Sequence, residues 1–123
     1  MSEPRVRFIE HRGKRMLLLD FAGAVDTTDS LGHIAAAKAF VATHDPHSLL
    51  VVTDITGSHF NREIVDAMVD LVRSNTRYVK AGAVVGLTGL TRLFYVTVSM
   101  VSGRKVPAFS TLDAAKDYLA GQD

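Results

Sequence analysis

The chain has 123 residues, of which 47% are hydrophobic and 22% charged, a balance that is typical of one folded domain and argues against disorder. Its formal net charge of +1 gives no strong attraction to nucleic acid or acidic membranes, and the absence of cysteine excludes disulfides and thiolate chemistry. The first fifteen residues are charged, unlike a signal peptide, and no run reaches the roughly 18 apolar residues of a membrane span. We therefore expect a cytoplasmic protein without a transmembrane segment.

The N-terminal region predicts a β-hairpin. Arg5–His11 and Arg15–Phe21 have strand character and flank a turn at residues 12–14. The second strand is continuously apolar from Met16 to Leu19, as expected in the interior of a sheet. We interpret the basic residues of the hairpin as solvated charges that protect an edge strand from aggregation. They are Arg5, Arg7, Arg12, Lys14 and Arg15.

The middle of the chain alternates helix and strand patterns. A helix begins at the capping residues Asp26–Asp29, continues through apolar residues at helical spacing, and ends before Pro46. Ser48–Ile55 is a buried strand, and Phe60–Val79 is an amphipathic helix with a charged outer stripe.

The C-terminal third repeats the alternation. Ala81–Leu87 is a strand, Leu90–Ser102 a helix ended by Gly103, and Val106–Phe109 a short strand. A capping-box pattern at Ser110–Asp113 opens a last helix. The order ββαβαβαβα predicts an α/β domain with a five-stranded mixed sheet, mostly parallel, with an antiparallel N-terminal hairpin and about four helices.

The C-terminal half also resembles a known family. AVVGLTGLTRLFY and SGRKVPAFSTLDAAKDYL are similar to the ending of SpoIIAA-like proteins, relatives of the STAS domains of anti-sigma factor antagonists. Members are small single-domain bacterial proteins, mostly of unassigned function. The resemblance implies a sequential strand order, and it extends distantly to the lipid-binding Sec14/CRAL-TRIO fold. The chain departs from the antagonists' Asp-Ser-Ser-Gly phosphorylation segment, because it has Asp-Ile-Thr-Gly-Ser at 54–58.

Polar residues follow the strands at the predicted carboxyl edge of the sheet, where α/β proteins bind ligands. Backbone donors at helix starts favour anions there, so we predict a site for an anionic ligand. Its candidate residues are Asp54, Gly86, Thr88, Gly89 and Thr91. The alternative is that these residues only cap helices and satisfy loop backbone.

The hydroxyls of Thr56 and Ser58 are candidate phosphoacceptors, since phosphorylation would add charge at a helix start. A receiver-type phosphoryl site is rejected, because Asp20 has no acidic neighbour to complete a magnesium site. The five histidines are scattered and predict no metal site, and no nucleophile-elbow motif is present. We expect neither a cofactor nor a catalytic residue.

The helix Leu90–Ser102 is apolar nearly all round. Such a helix is either covered by its own chain or available to a partner. The candidate contact residues are Phe94, Tyr95, Val96, Val98 and Met100. Two functions follow as hypotheses. The first is a non-enzymatic regulatory or interaction module of the STAS type, acting through a protein partner or as a homodimer. The alternative is a small carrier or sensor of an apolar or amphipathic, lipid-like ligand.

Overall fold

The computed structural model describes residues 5–89, 92, 95, 96, 100 and 106–122, which form five strands and three helices. The strands are β1 (Val6–His11), β2 (Lys14–Asp20), β3 (Leu49–Asp54), β4 (Val79–Val85) and β5 (Ala108–Phe109). The helices are α1 (Thr27–Val41), α2 (Arg62–Asn75) and α3 (Leu112–Ala120).

The five strands form one sheet in the order β1-β2-β3-β4-β5. β1 pairs with β2 in the antiparallel sense, and the remaining neighbours are parallel. The predicted α/β class and mixed, mostly parallel sheet are therefore confirmed. Sequential strand order is a property of the backbone and does not identify a family by itself.

The hairpin turn is tighter than the sequence predicts. His11 pairs with Lys14, so only two residues make the turn. Both have positive φ, 52° at Arg12 and 78° at Gly13. Positive φ at both central positions is the type I′ geometry, whose twist matches that of the flanking strands.

Helices α1 and α2 cover one face of the sheet, and their starts are capped by side chains. Asp26 accepts a hydrogen bond from the Asp29 N–H, and Asn61 accepts one from the Ile64 N–H at 2.9 Å. The Asn61 amide also donates to the hydroxyl of Thr27, which ties the two helix starts together. Apolar side chains of both helices pack with Leu17, Leu19 and Val51 of the sheet.

Helix α3 covers the opposite face. Ala115 and Leu119 pack on Met16, Leu18 and Val52, and all five side chains are buried. Its N-cap is Thr111, whose hydroxyl accepts from the Ala114 N–H, so the helix starts one residue later than the predicted capping box at Ser110–Asp113 requires.

Both predicted boundaries of helix α2 are corrected. The helix expected over Phe60–Val79 spans only Arg62–Asn75, because Val79 already pairs with Leu49 in the sheet. Turn hydrogen bonds end the helix, including the Tyr78 N–H donating to the Asn75 carbonyl at 2.9 Å. The sequence pattern misses this end because apolar residues continue at helical spacing through the turn.

The helix expected at 90–102 lies mostly outside the described residues, so the fourth helix stays a prediction. Gly89, Arg92, Tyr95, Val96 and Met100 are described, and each has helical backbone. Within the described ranges, no helix is long and apolar enough to cross a membrane.

Candidate functional site

The carboxyl edge of the sheet brings Asp20 and Asp54 side by side, since they are register partners on β2 and β3. Both carboxylates bind their own loops. Asp54 accepts a hydrogen bond from the Thr56 N–H at 3.0 Å, and Asp20 accepts from the Ala22 N–H at 3.2 Å. Arg7 also donates to Asp20 at 3.3 Å. The two acids thus stabilise the ends of their strands.

Gly86 ends β4 in a conformation that excludes a side chain. Its φ is +93°, and a Cβ there would lie 2.3 Å from the Thr56 hydroxyl and 2.6 Å from the Thr56 nitrogen. The Gly86 N–H donates to the Phe109 carbonyl at 3.3 Å. Gly86 therefore allows close packing of two loops, and its amide is already used within the sheet.

The other anion-site candidates are only partly placed. Thr88 and Gly89 are exposed, and the Thr88 carbonyl accepts from the Arg92 N–H at 2.9 Å. Thr91 lies outside the described residues. The structure thus brings Asp54 and Gly86 close to Thr56, whereas the proposed anion contact stays a prediction.

The two candidate phosphoacceptors have different surroundings. Thr56 is exposed on the loop after β3. Ser58 is half-buried, and its hydroxyl donates to the Ile55 carbonyl at 2.7 Å. Thr56 is therefore the more accessible hydroxyl, and its modification stays a prediction.

An exposed apolar surface lies on the segment after Gly89. Val96 is 53% exposed and Met100 is 78% exposed, and Arg92, also exposed, precedes Val96 by four residues. In the helix predicted at 90–102, residues four apart share one face, so we expect these three side chains to form a single surface, called here the 92–100 face. Tyr95 is half-buried and packs toward the α1/α2 core. Phe94 and Val98 lie outside the described residues.

A cavity of about 90 Å³ lies between α2 and the sheet. Its walls are mainly apolar, and they include Leu71, Val51, Val84 and the half-buried Tyr95. Pockets of this kind, with few polar groups, are the usual form of a small-molecule site. The cavity is therefore a second candidate site, and its wall extends along β4 from Val79 at the start of the strand to Val84 near its end.

Two residues of the cavity were missed from the sequence. Asn75 and Gly82 both line it. The signals were present, since Asn75 continues the buried stripe of Ile64, Met68 and Leu71, and Gly82 interrupts an apolar strand. A polar residue on a buried stripe and a glycine within a strand both indicate an unusual environment.

One histidine joins two elements of the fold. The His11 imidazole donates to Asp117 at 2.6 Å and connects β1 to α3. This hydrogen bond is the main reason that the pKa of Asp117 is lowered, and Arg12, 3.1 Å away, adds to the effect. Over the part of the chain that is described, no three His, Asp or Glu residues are grouped as metal ligands.

No family model, curated protein or solved structure matches this chain. The SpoIIAA-like resemblance thus rests on the sequence motifs alone.

Proposed function

We propose that the chain is a non-enzymatic regulatory or interaction module of the STAS, SpoIIAA-like type that acts by binding another protein, with a second copy of itself as the expected partner. The surface for this contact is the 92–100 face. The engagement of Asp20 and Asp54 in their own loops supports a structural role for these acids rather than a catalytic one.

The observation that carries this proposal is the exposure of Val96 and Met100, at 53% and 78%. In the predicted helix these side chains are one turn apart, so we expect a partner to cover both at once. Burying roughly 300 Å² of apolar surface contributes about 7 kcal/mol before the costs of association.

The oligomeric state tests the contact. We expect native mass spectrometry and light scattering of the untagged protein to give a dimer, and Val96→Asp and Met100→Asp to give monomers. Val25→Asp is the matched control, because Val25 is 73% exposed on a different loop and its charge should leave the dimer intact. A monomeric wild-type protein at high concentration, or dimeric aspartate variants, would contradict the proposal.

A second candidate function is binding of an apolar or amphipathic ligand by a small carrier or sensor. The mainly apolar cavity of about 90 Å³ favours it. Native mass spectrometry of protein purified without detergent provides the first test, and a removable additional mass is the expected result. If every preparation has the bare mass and added ligands never bind, the carrier function is wrong.

A further inference from the structure

Strand β1 is an edge of the sheet, so one side of its backbone has no neighbouring strand. The Asp20 N–H donates to the Arg5 carbonyl at 2.7 Å, which shows that the backbone groups of Arg5 point toward β2. Because this direction alternates along a strand, the backbone groups of Val6, Phe8 and Glu10 point away from β2. No other described residue hydrogen-bonds to them. The edge therefore offers the N–H and carbonyl groups of these residues to an added strand.

The edge has few of the features that prevent strand addition. Natural edge strands are commonly protected by bulges, prolines or charged side chains. The six residues of β1 pair with β2 without a register shift, and none of them is proline. Several of the charges predicted to protect the hairpin contact the chain itself. Arg5 donates to two backbone carbonyls, Arg7 pairs with Asp20, and Arg12 pairs with Asp117.

Arg15 differs from these basic residues. It lies opposite Glu10 on β2, so its side chain is on the same face of the sheet as the side chain of Phe8. Arg15 is exposed, and its guanidinium carbon is 3.7 Å from the centroid of the Phe8 ring. Among the described residues, no carboxylate or carbonyl oxygen pairs with it. A guanidinium beside an aromatic ring keeps N–H donors for a carboxylate, so Arg15 is available to an acid on an added strand.

An aromatic surface lies beside this cation. The Phe8 ring packs with the rings of Phe40 and His44, at centroid distances of 5.8 Å and 5.6 Å. Phe40, near the end of α1, is 36% exposed. A glutamate on the added strand, opposite Phe8, suits both features. Its methylene groups pack on the rings, and its carboxylate binds Arg15.

Charge favours an acidic partner over a second copy of the chain at this edge. Residues 5–15 contain five basic residues and one acid, Glu10. Asp20 and Asp117 pair with two of the basic residues, so an excess of basic charge remains. Two copies of β1 side by side would bring these like charges together, whereas an acidic segment is attracted to them.

We propose that β1 binds an extended segment of a partner protein, which adds to the sheet beside β1 and carries a glutamate opposite Phe8. Backbone hydrogen bonds to Val6, Phe8 and Glu10 supply the affinity, and the contact of the glutamate with Arg15 supplies the specificity. The contact uses β1 and not the 92–100 face. The inference therefore goes beyond the self-association proposed above, because it names a second contact and the chemistry of another partner.

The test is hydrogen exchange of the full-length protein, followed by NMR, with and without a short capped peptide of alternating threonine and valine that has a central glutamate in place of one threonine. In the free protein we expect fast exchange of the Val6, Phe8 and Glu10 amides and slow exchange of the Arg7 and Ile9 amides, which face β2. A saturating peptide should slow the first three by roughly tenfold or more. Arg7 and Ile9 are the internal controls.

Two changes in the peptide separate the backbone contact from the charge contact. Methylation of the glutamate nitrogen, which faces β1 in the proposed complex, should abolish the protection, whereas methylation of the next valine nitrogen, which faces away, should preserve it. Replacement of the glutamate by lysine should weaken binding by roughly tenfold or more, and Arg15→Gln should remove most of this preference. Equal binding of the glutamate and lysine peptides would overturn the acidic partner.

Glu10→Pro is the blocking variant, because proline removes an outward N–H at a position where an edge strand tolerates it. Glu10→Thr is its matched control, since it removes the same charge and keeps the N–H. If the proline variant does not fold, as judged by thermal unfolding, the methylated peptides test the same backbone contact. Protection in the free protein that increases with protein concentration would assign the edge to a second copy. Absence of protection with the glutamate peptide would overturn strand addition.

Discussion

The two faces of the sheet are packed to different degrees, and two adjacent residues of β4 illustrate the difference. Ala83 points to the α3 face, where it is 2% exposed and belongs to the same core cluster as Ala115 and Leu119, both fully buried. Gly82 lies on the α2 face, where it has no side chain to fill the cavity of about 90 Å³; both residues border this cavity. The methyl group of Ala83 is packed in the α3-face core, whereas the α2 face keeps open space at the neighbouring position.

This difference suggests a division of roles between the two faces. A face packed to normal density loses stability when its atoms are removed, since few voids exist to absorb the change. A face with a cavity has already lost those contacts, so it can gain stability when the space is filled. We therefore expect the α3 face to support the fold and the α2 face to hold the ligand.

The largest expected effect is a charge in the α3-face core. Val85 is 2% exposed, so Val85→Asp buries a carboxylate without a partner and should lower the free energy of unfolding by about 4 kcal/mol or more. Urea denaturation measures the change. Val25→Asp, at an exposed position, should change it by less than about 0.5 kcal/mol. A near-native stability of Val85→Asp would contradict the assignment of β4 as an interior strand.

Leucine truncation on each face compares the packing directly. Leu119→Ala on the α3 face should cost about 3–5 kcal/mol, and Leu71→Ala beside the cavity about 2–3 kcal/mol. Both leucines are almost fully buried, so exposure does not distinguish them. The reason for the difference is that Leu71 already borders empty space and has fewer contacts to lose. If urea denaturation gave equal losses in the free energy of unfolding for the two variants, the two faces would not differ in packing.

Exchanging the small residues of β4 should give effects of opposite sign. Gly82→Ala should raise the free energy of unfolding by about 0.5–1 kcal/mol, because it removes the entropic cost of glycine and partly fills the cavity. Ala83→Gly should lower it by about 1–2 kcal/mol, because it removes a buried methyl group and adds that cost. Destabilisation by Gly82→Ala would mean that the space above Gly82 is not open.

The smallest effect concerns acid stability at the contact between α3 and the hairpin. The pKa of Asp117 is lowered in the folded protein, mainly by the His11 hydrogen bond. Its contribution to stability is therefore present above the unfolded-state pKa, near the ordinary value of 3.8, and is lost as the pH falls below it. We expect Asp117→Asn to flatten the pH dependence of the melting temperature below about pH 4. An unchanged acid profile would show that the contact does not contribute.

Most of the fold could be predicted from the sequence, because the positions of its strands and helices depend on local residue patterns. Apolar runs such as Met16–Leu19 and capping residues such as Asp26 predict strands and helix starts without tertiary information. The end of α2 was missed because apolar spacing continued to Val79, which in the structure pairs with Leu49. Only a tertiary contact distinguishes these alternatives.

The cavity was harder to predict from the sequence than the fold, for a physical reason. Its two informative residues, Asn75 and Gly82, lie on different elements, so their meeting depends on how α2 packs against β4. The buried Oδ1 of Asn75 has no hydrogen-bond partner among the described residues, and a pattern of residue types does not encode the lack of a partner. At the carboxyl edge, Asp54 and Gly86 come close to Thr56, and the Asp54 Oδ1 and the Gly86 N–H both bond within the chain. The anion contact predicted there from the sequence stays a prediction.

Helix α3 has a consequence for the order of folding. The sequential strand order lets each new strand join a neighbour that has already been synthesised, which favours growth of the sheet from the N-terminus. However, α3 returns from β5 to the first hairpin, where Lys14 donates to the Gln122 carbonyl at 3.0 Å and His11 contacts Asp117. The last helix therefore joins the first and last strands, which lie at opposite edges of the sheet. A nascent chain in which α3 has not yet formed would expose Leu18 and Val52, which such a chain could bury by aggregation.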